Sequence, residues 1–350
     1  MRALSVVPGK VGSAAVIDIG EPKASDGDVL VETLAVGVCG TDHEIASGDY
    51  GWAPPGHERL VLGHESIGRV LEAPAASGFV AGDLVVGIVR RPDPVPCYSC
   101  AAGEWDECRN GRYVEHGIKQ LDGFARERYR APADALVKVD AGLGALGVLL
   151  EPTTIVAKAW EQADRIGGRV TWQAHTALVV GAGPIGLLAA LLGVQAGMEV
   201  HVLDQVTSGP KPELVAALGA AYHTGDLAGA LAQPDVIMEC TGVPALIAES
   251  MAALGTGGVL CLTGVSPIGR TTALDLGAAA RAAVLGNKAI FGSVNANRRH
   301  YLAAAAALAA ADRGWLGRLV SRRVPLERYA DALTPEDGDV KVVIDVAASS

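Results

Sequence analysis

The segment Thr176-Ala-Leu-Val-Val180 runs directly into Gly181-Ala182-Gly183-Pro184-Ile185-Gly186 and then into an apolar stretch from Leu187 to Val194. An apolar run, a glycine-rich turn and a helical pattern in that order restrict this part of the chain to a strand-turn-helix unit, the context that a dinucleotide fingerprint requires. Gly181 permits the tight turn, Gly183 lets a pyrophosphate approach the backbone, and Gly186 lets the helix pack closely on the strand. The helix opening at Pro184 and Ile185 points its N-terminus at the phosphates. With 44 glycines in 350 residues the glycine spacing alone would carry little weight. It has an acidic partner: Glu199-Val-His-Val-Leu203 reads as the next strand, and Asp204 closes it 18 residues after Gly186, where a carboxylate accepts hydrogen bonds from ribose hydroxyls.

From Thr176 onward strands near 176–180, 199–203, 235–240 and 257–264 alternate with helical stretches at 184–195, 211–218 and 244–253. Such alternation predicts βαβ units and a parallel sheet. The first half is different. Ala3 to Val7, Val29 to Val38, Ser66 to Glu72 and Asp83 to Val89 read as strands between turns rich in Gly and Pro,. The run Tyr301 to Ala311 reads as a helix and Val340 to Val346 as a closing strand. The length is that of about two domains.

The β-rich half carries a candidate metal site. Cys39 lies in Val38-Cys39-Gly40-Thr41-Asp42, and His64-Glu65 follows Leu60-Val-Leu-Gly63, placing the imidazole 25 positions after the thiol. A catalytic zinc takes three protein ligands from thiolate, imidazole and carboxylate and keeps a fourth position open. Cys39, His64 and either Glu65 or Glu151 would supply that set. Three further cysteines, Cys97, Cys100 and Cys108, stand at C-x2-C-x7-C.

The order Cys-Gly-Thr-Asp, Gly-His-Glu, cysteine cluster, Glu-Pro and Gly-x-Gly-x-x-Gly resembles the zinc-containing medium-chain alcohol and polyol dehydrogenases over essentially the whole chain. Arg90-Arg91-Pro92, Glu115-His116-Gly117-Ile118, Asp122-Gly123-Phe124, Leu150-Glu151-Pro152 and Phe291-Gly292-Ser293-Val294-Asn295-Ala296 are similar to the glucose 1-dehydrogenase branch. The resemblance implies an α/β fold of two parts. A β-rich GroES-like catalytic domain, discontinuous over 1–155 and 291–350, would be joined to a doubly wound parallel-sheet (Rossmann) dinucleotide-binding domain over 156–290. It implies zinc-dependent hydride transfer from C1 of a glucose-type sugar to NAD. Oxidation of another polyol, cyclitol or pathway-specific secondary alcohol is the alternative reading, and a non-catalytic dinucleotide-binding protein is a third.

On the same resemblance, Cys39, His64, Glu65 and Glu151 hold the catalytic zinc and Thr41 passes the alcohol proton toward solvent. Thr41 with Glu44 three positions later is also a capping-box pattern. Asp42 would orient His64 through its other ring nitrogen. Cys97, Cys100 and Cys108 match the last three ligands of a lobe zinc. Pro94 occupies the place of the first, and neighbouring Asp93 is the candidate substitute, so two zincs per chain are expected. Thr241 and Asn295 join Gly181, Gly183, Pro184, Ile185, Gly186 and Asp204 as cofactor contacts. Glu115, Glu151 and Asn295 are expected to meet the substrate, whereas Val89 and Ile155 stand where the branch often has polar sugar contacts. Asp204 predicts NAD over NADP, because a carboxylate repels the 2′-phosphate. Gln205 stands where an arginine would serve NADP, and Lys211 leaves room for a minor NADP activity.

The net charge of −10 and pI near 5.3 argue against nucleic acid or an anionic membrane as partner,. The pairs Arg90-Arg91, Arg298-Arg299 and Arg322-Arg323 read as solvated surface. No signal pattern precedes the first strand, and no apolar run free of polar breaks reaches ~18 residues, which predicts a cytoplasmic protein. Six cysteines in this length do not form a disulfide scaffold,. Cys240 and Cys261 read as reduced core thiols, and His43, His57, His116, His175, His201, His223 and His300 as surface or core histidines. The family implies a homo-oligomer, a dimer or tetramer.

Overall fold

A computed structural model describes residues 1–266 and 269–347. The chain divides into two compact units, residues 1–151 with 296 onward, and residues 152–295.

In the first unit, strand Val29–Val38 is the axis of a mainly antiparallel sheet. Its β-branched and aliphatic residues Val29, Val31, Val36 and Val38 belong to a core that also contains Leu4, Leu60, Leu62, Phe124, Tyr129 and Ile344. Such residues favour a pleated, half-buried surface. Antiparallel partners on its two sides are Glu65–Glu72 and Lys341–Asp345. The register sets Gly37 opposite Glu65 and Val38 opposite Val342. Antiparallel pairing therefore brings the end of one strand, where Cys39 follows, to the start of two others, where His64, Glu65 and Lys341 lie. The returning segment reaches this sheet through helices Arg298–Ala310 and Arg313–Leu319. Helix Arg298–Ala310 is tied in by buried Tyr301, whose hydroxyl accepts the Val89 N–H at 3.1 Å.

In the second unit six parallel strands follow the order Ala221–His223, Glu199–Leu203, Thr176–Val180, Val236–Glu239, Val259–Leu262 and Ala289–Gly292. Central strands covered on both faces read as continuous apolar runs, as Ala177 to Val180 and Val236 to Met238 do here, all at most 1% exposed. The order reverses at Thr176–Val180, and ligands of open α/β sheets bind at such a switch point. Helix Pro184–Gln195 begins at the glycine turn, and the Trp160 indole N–H donates to Ala189 O at 3.1 Å, fixing its neighbour helix against it.

Helical residues 141–167 contain a window long and apolar enough to cross a membrane by composition, which qualifies the expectation that no such run exists. Two-thirds of that window (67%) is buried inside the protein, the pattern of a core helix,.

Tyr301→Phe leaves the buried Val89 N–H unpaired and should lower stability by about 1–3 kcal/mol. An unchanged urea midpoint would show that this hydrogen bond does not anchor the returning segment.

Candidate active site

Helix Gly40–Ala46 starts directly after Cys39, whose backbone is extended (φ −131°, ψ −178°). The residue capping the helix is Cys39, and the carboxylate of Asp42, three positions on, accepts the Cys39 N–H at 3.0 Å. This corrects the Thr41–Glu44 capping pattern: Thr41 is already helical, so it does not cap the helix. The cap instead fixes the thiol at the strand end. Cys39 Sγ lies 3.1 Å from His64 Nε2. With a Glu65 carboxylate oxygen they form one group whose ligand atoms all fall within 4.8 Å of each other.

His64 is buried, and its Nδ1 faces Asp42 Oδ1 at 3.6 Å. Neither atom has a hydrogen-bond partner among the described residues. A ligating histidine usually directs its second nitrogen at such a carboxylate. Burial alone would pull the imidazole pKa down, but Cys39, Asp42 and Glu151 surround it with negative charge and hold it well above its ordinary value. A positive charge is what this position is built to receive, and thiolate, imidazole and carboxylate are the donors zinc prefers.

Glu151 opens helix Leu150–Gly167 and is buried. Burial pushes its carboxyl up to about 7, with the charges of Glu65 and Asp42 adding and His64 and Lys341 opposing. It is not in the tight Cys39–His64–Glu65 group.

Sequence reasoning missed Lys341. It is 1% exposed, donates from Nζ to Val38 O at 3.0 Å and forms a close ion pair with Glu65, itself 2% exposed. Burial disfavours its charge, but Glu65, Cys39 and Asp42 more than offset this and keep its pKa raised. Gly37 makes room for the pair, since a Cβ there would sit 2.1 Å from the Glu65 carboxylate. A lysine inside the apolar run Val340 to Val346 was the available signal.

The second cysteine cluster is gathered too: Cys97, Cys100 and Cys108 offer sulfurs within 4.8 Å of one another. The Cys97 thiol is pulled down to about 6 by the backbone N–H groups of Arg109 and Cys100, whereas burial and the neighbouring thiols push Cys100 up to about 11. Asp93 does not join them. Its carboxylate accepts from Val95 N at 2.9 Å, from Asn110 Nδ2 and from Arg112 Nε at 3.0 Å.

Arg90 is not solvated surface. It is buried, pairs with Glu115 at 3.0 Å, donates to Asp106 O at 3.0 Å and stacks over Tyr113 with Cζ 3.6 Å from the ring centre. Arg91 donates to His116 Nε2 at 3.2 Å, and burial lowers its pKa to about 10. Glu115 is thus a buried carboxylate with a fixed counter-charge. Cys240 and Cys261 lie where burial raises both thiols.

In the second unit the glycine turn fits a pyrophosphate. Gly181 has φ +99°, a Cβ at Gly186 would lie 1.8 Å from Gly181 O, and a Cβ at Gly183 would meet nothing within 4 Å, leaving that side open. Thr241 flanks the turn, its Cγ2 standing 2.7 Å from where a Gly181 Cβ would be. Its backbone N–H donates to Glu239 Oε1 at 2.8 Å. Asp204 accepts the Ala182 N–H at 2.7 Å and the Val206 N–H at 3.0 Å, and pairs with Lys211 at 3.2 Å. Asn295 adopts a left-handed conformation, φ +61°.

Residues 25–141 match the alcohol dehydrogenase GroES-like domain, and residues 144–346 match the glucose dehydrogenase C-terminus. The chain belongs to the glucose dehydrogenase family of zinc-containing medium-chain dehydrogenases. It is 39% identical to glucose 1-dehydrogenase of Methanocella arvoryzae, over 99% of this chain and 100% of that one. Identity to the glucose 1-dehydrogenase of Thermoproteus tenax is 40%, over 99% of each. Among solved structures, Haloferax mediterranei glucose dehydrogenase in complex with NADP, Zn and gluconolactone superposes with a TM-score of 0.91 at 33% identity, covering 100% of both chains. The expected GroES-like and Rossmann architecture of the glucose dehydrogenase branch is therefore the observed one.

Lys341→Met strands a buried carboxylate and should destabilise the metal-free protein by about 3–5 kcal/mol, with Glu65→Gln in the same chain restoring most of it. Equal losses in the single and double variants, by urea denaturation, would show that the pair is not coupled.

Proposed function

We propose that this chain oxidises D-glucose at C1 to the lactone, passing hydride to NAD, with zinc held by Cys39, His64 and a carboxylate of Glu65 or Glu151. The observation that carries this is the convergence of Cys39 Sγ, His64 Nε2 and a Glu65 oxygen at one buried point, backed by Asp42. The relatives' names supply the sugar: the similar curated proteins are glucose 1-dehydrogenases, and the Haloferax structure contains gluconolactone.

When bound, zinc supplies Lewis acidity that lowers the pKa of the sugar hydroxyl. The chain's residues do the rest. Asp42 keeps the His64 ring turned so that Nε2 faces the metal position. Lys341 holds Glu65 by charge. Thr41, at the start of helix Gly40–Ala46, would take the hydroxyl proton outward, and a bound nicotinamide would supply the hydride acceptor. Glu115, braced by Arg90, and Asn295 contact the sugar or the nicotinamide. The lobe thiols Cys97, Cys100 and Cys108 would hold a second zinc, with Asp93, now engaged by Asn110 and Arg112, the candidate fourth donor.

The cofactor reading rests on Asp204, whose oxygens stand at the strand end. Lys211 offsets part of its charge, so NADP is a slower substrate rather than an excluded one. Steady-state assays should give a higher kcat/KM for NAD than for NADP. A ratio favouring NADP would overturn the role given to Asp204.

A second reading, oxidation of another polyol or cyclitol, is favoured by Val89 and Ile155, whose side chains offer no hydrogen bond where the branch often does. A site built to bind hydroxyls discriminates by leaving its polar groups unpaired when a hydroxyl is missing. Glucose should therefore outperform 2-propanol by about 10⁴-fold in kcat/KM. Equal turnover of the two would remove glucose and leave the second reading.

A further inference from the structure

Within the first unit a groove of about 480 Å³ is lined by Gly48, Asp49, Tyr50, Trp52, Glu58 and Gln120 among others, and none of the metal ligands lines it. Its wall is aromatic: Tyr50 and Trp52 meet edge to face, centroids 5.0 Å apart at 73°, and remain 40% and 47% exposed. The wall is also firmly held. The Trp52 N–H donates to Ile118 O and its carbonyl accepts from Gln120 N, both at 2.9 Å. Gln120 itself is held at φ +58°, a conformation that non-glycine residues avoid unless the surroundings impose it,. Gly48, at φ +83°, lets this loop approach Gly9 so closely that a Cβ would stand 3.1 Å from the Gly9 backbone.

The polar groups around this wall are uncommitted. Among the described residues the Tyr50 hydroxyl, the Trp52 indole N–H, the Glu58 carboxylate and the Gln120 amide make no hydrogen bond to the protein, while Asp49 is engaged by Ser47 Oγ at 2.6 Å. A flat, partly apolar face bordered by a carboxylate, an amide and two further polar groups is complementary to a pyranose. The C–H face of the ring covers the indole while its hydroxyls pair with the rim. Two carboxylates, Asp49 and Glu58, disfavour phosphorylated or acidic sugars. Gln120 is also paired in register with Glu115, the proposed sugar contact.

We propose that the Tyr50–Trp52 groove is an accessory binding site for a neutral pyranose, outside the ring that is oxidised. Two sources share this chemistry: a free sugar, or the non-reducing unit of a reducing disaccharide whose other ring is oxidised. The choice of a glucose-type probe rests on the proposed function. Methyl α-D-glucopyranoside, blocked at C1, reports binding without oxidation, so failure here and failure of the glucose assignment are told apart.

The test is calorimetric titration of the full chain with methyl α-D-glucopyranoside, for wild type, Trp52→Ala and Glu58→Gln. The expected result is saturable binding to wild type, weakened about fivefold or more in both variants, with glucose kcat/KM kept within about twofold. A parallel drop in kcat/KM for cellobiose in Trp52→Ala identifies the disaccharide source, and unchanged cellobiose kinetics identify the free sugar. No saturable binding to wild type, or equal binding by all three proteins, overturns the proposal.

Discussion

The antiparallel register between Val29–Val38 and its two neighbours, Glu65–Glu72 and Lys341–Asp345, is the constraint on which the candidate site depends. It places Cys39, His64, Glu65 and Lys341 at one sheet end although they are distant in sequence. A slip of one residue would turn each side chain to the opposite face. The register is in turn specified by the valines and leucines that face the core. Burial of apolar side chains thereby fixes the position of a thiol, an imidazole and a carboxylate.

Once there, these groups are balanced by charge. Asp42, Glu65 and Glu151 are buried acids, and buried Lys341 faces them as a cation, with His64 held toward its charged form. Such a cluster is costly unless it is paired or coordinates a metal. Lys341 offsets one carboxylate, and a zinc ion would offset what remains. The lobe is arranged differently. Three thiols converge there, but Asp93 is already satisfied by Asn110 and Arg112.

Much of this was legible in the amino-acid order. The strand Thr176–Val180 and the helix Pro184–Gln195 were readable because composition changes abruptly at Gly181 and Gly186, and Val29 to Val38 because the β-branched residues Val29, Val31, Thr33, Val36 and Val38 recur along it. The types and spacing of Cys39, His64 and Glu65 pointed to metal chemistry before any contact was known. Other features were hidden because they depend on contacts between distant segments. Arg90 looked like surface charge until Glu115 and Tyr113 closed over it. Lys341 carried no spacing signal, and the true cap of helix Gly40–Ala46 was obscured because a cysteine, rarely considered as a cap, takes that place.

The proposed catalytic zinc is held by Cys39, His64 and a neighbouring glutamate. Anomalous diffraction at the zinc edge, from crystals of the purified protein, tests this assignment most directly. A zinc held by these residues gives a peak about 2.3 Å from Cys39 Sγ and about 2.0–2.1 Å from His64 Nε2. A protein that contains zinc only at Cys97, Cys100 and Cys108, with no peak beside Cys39, would contradict it.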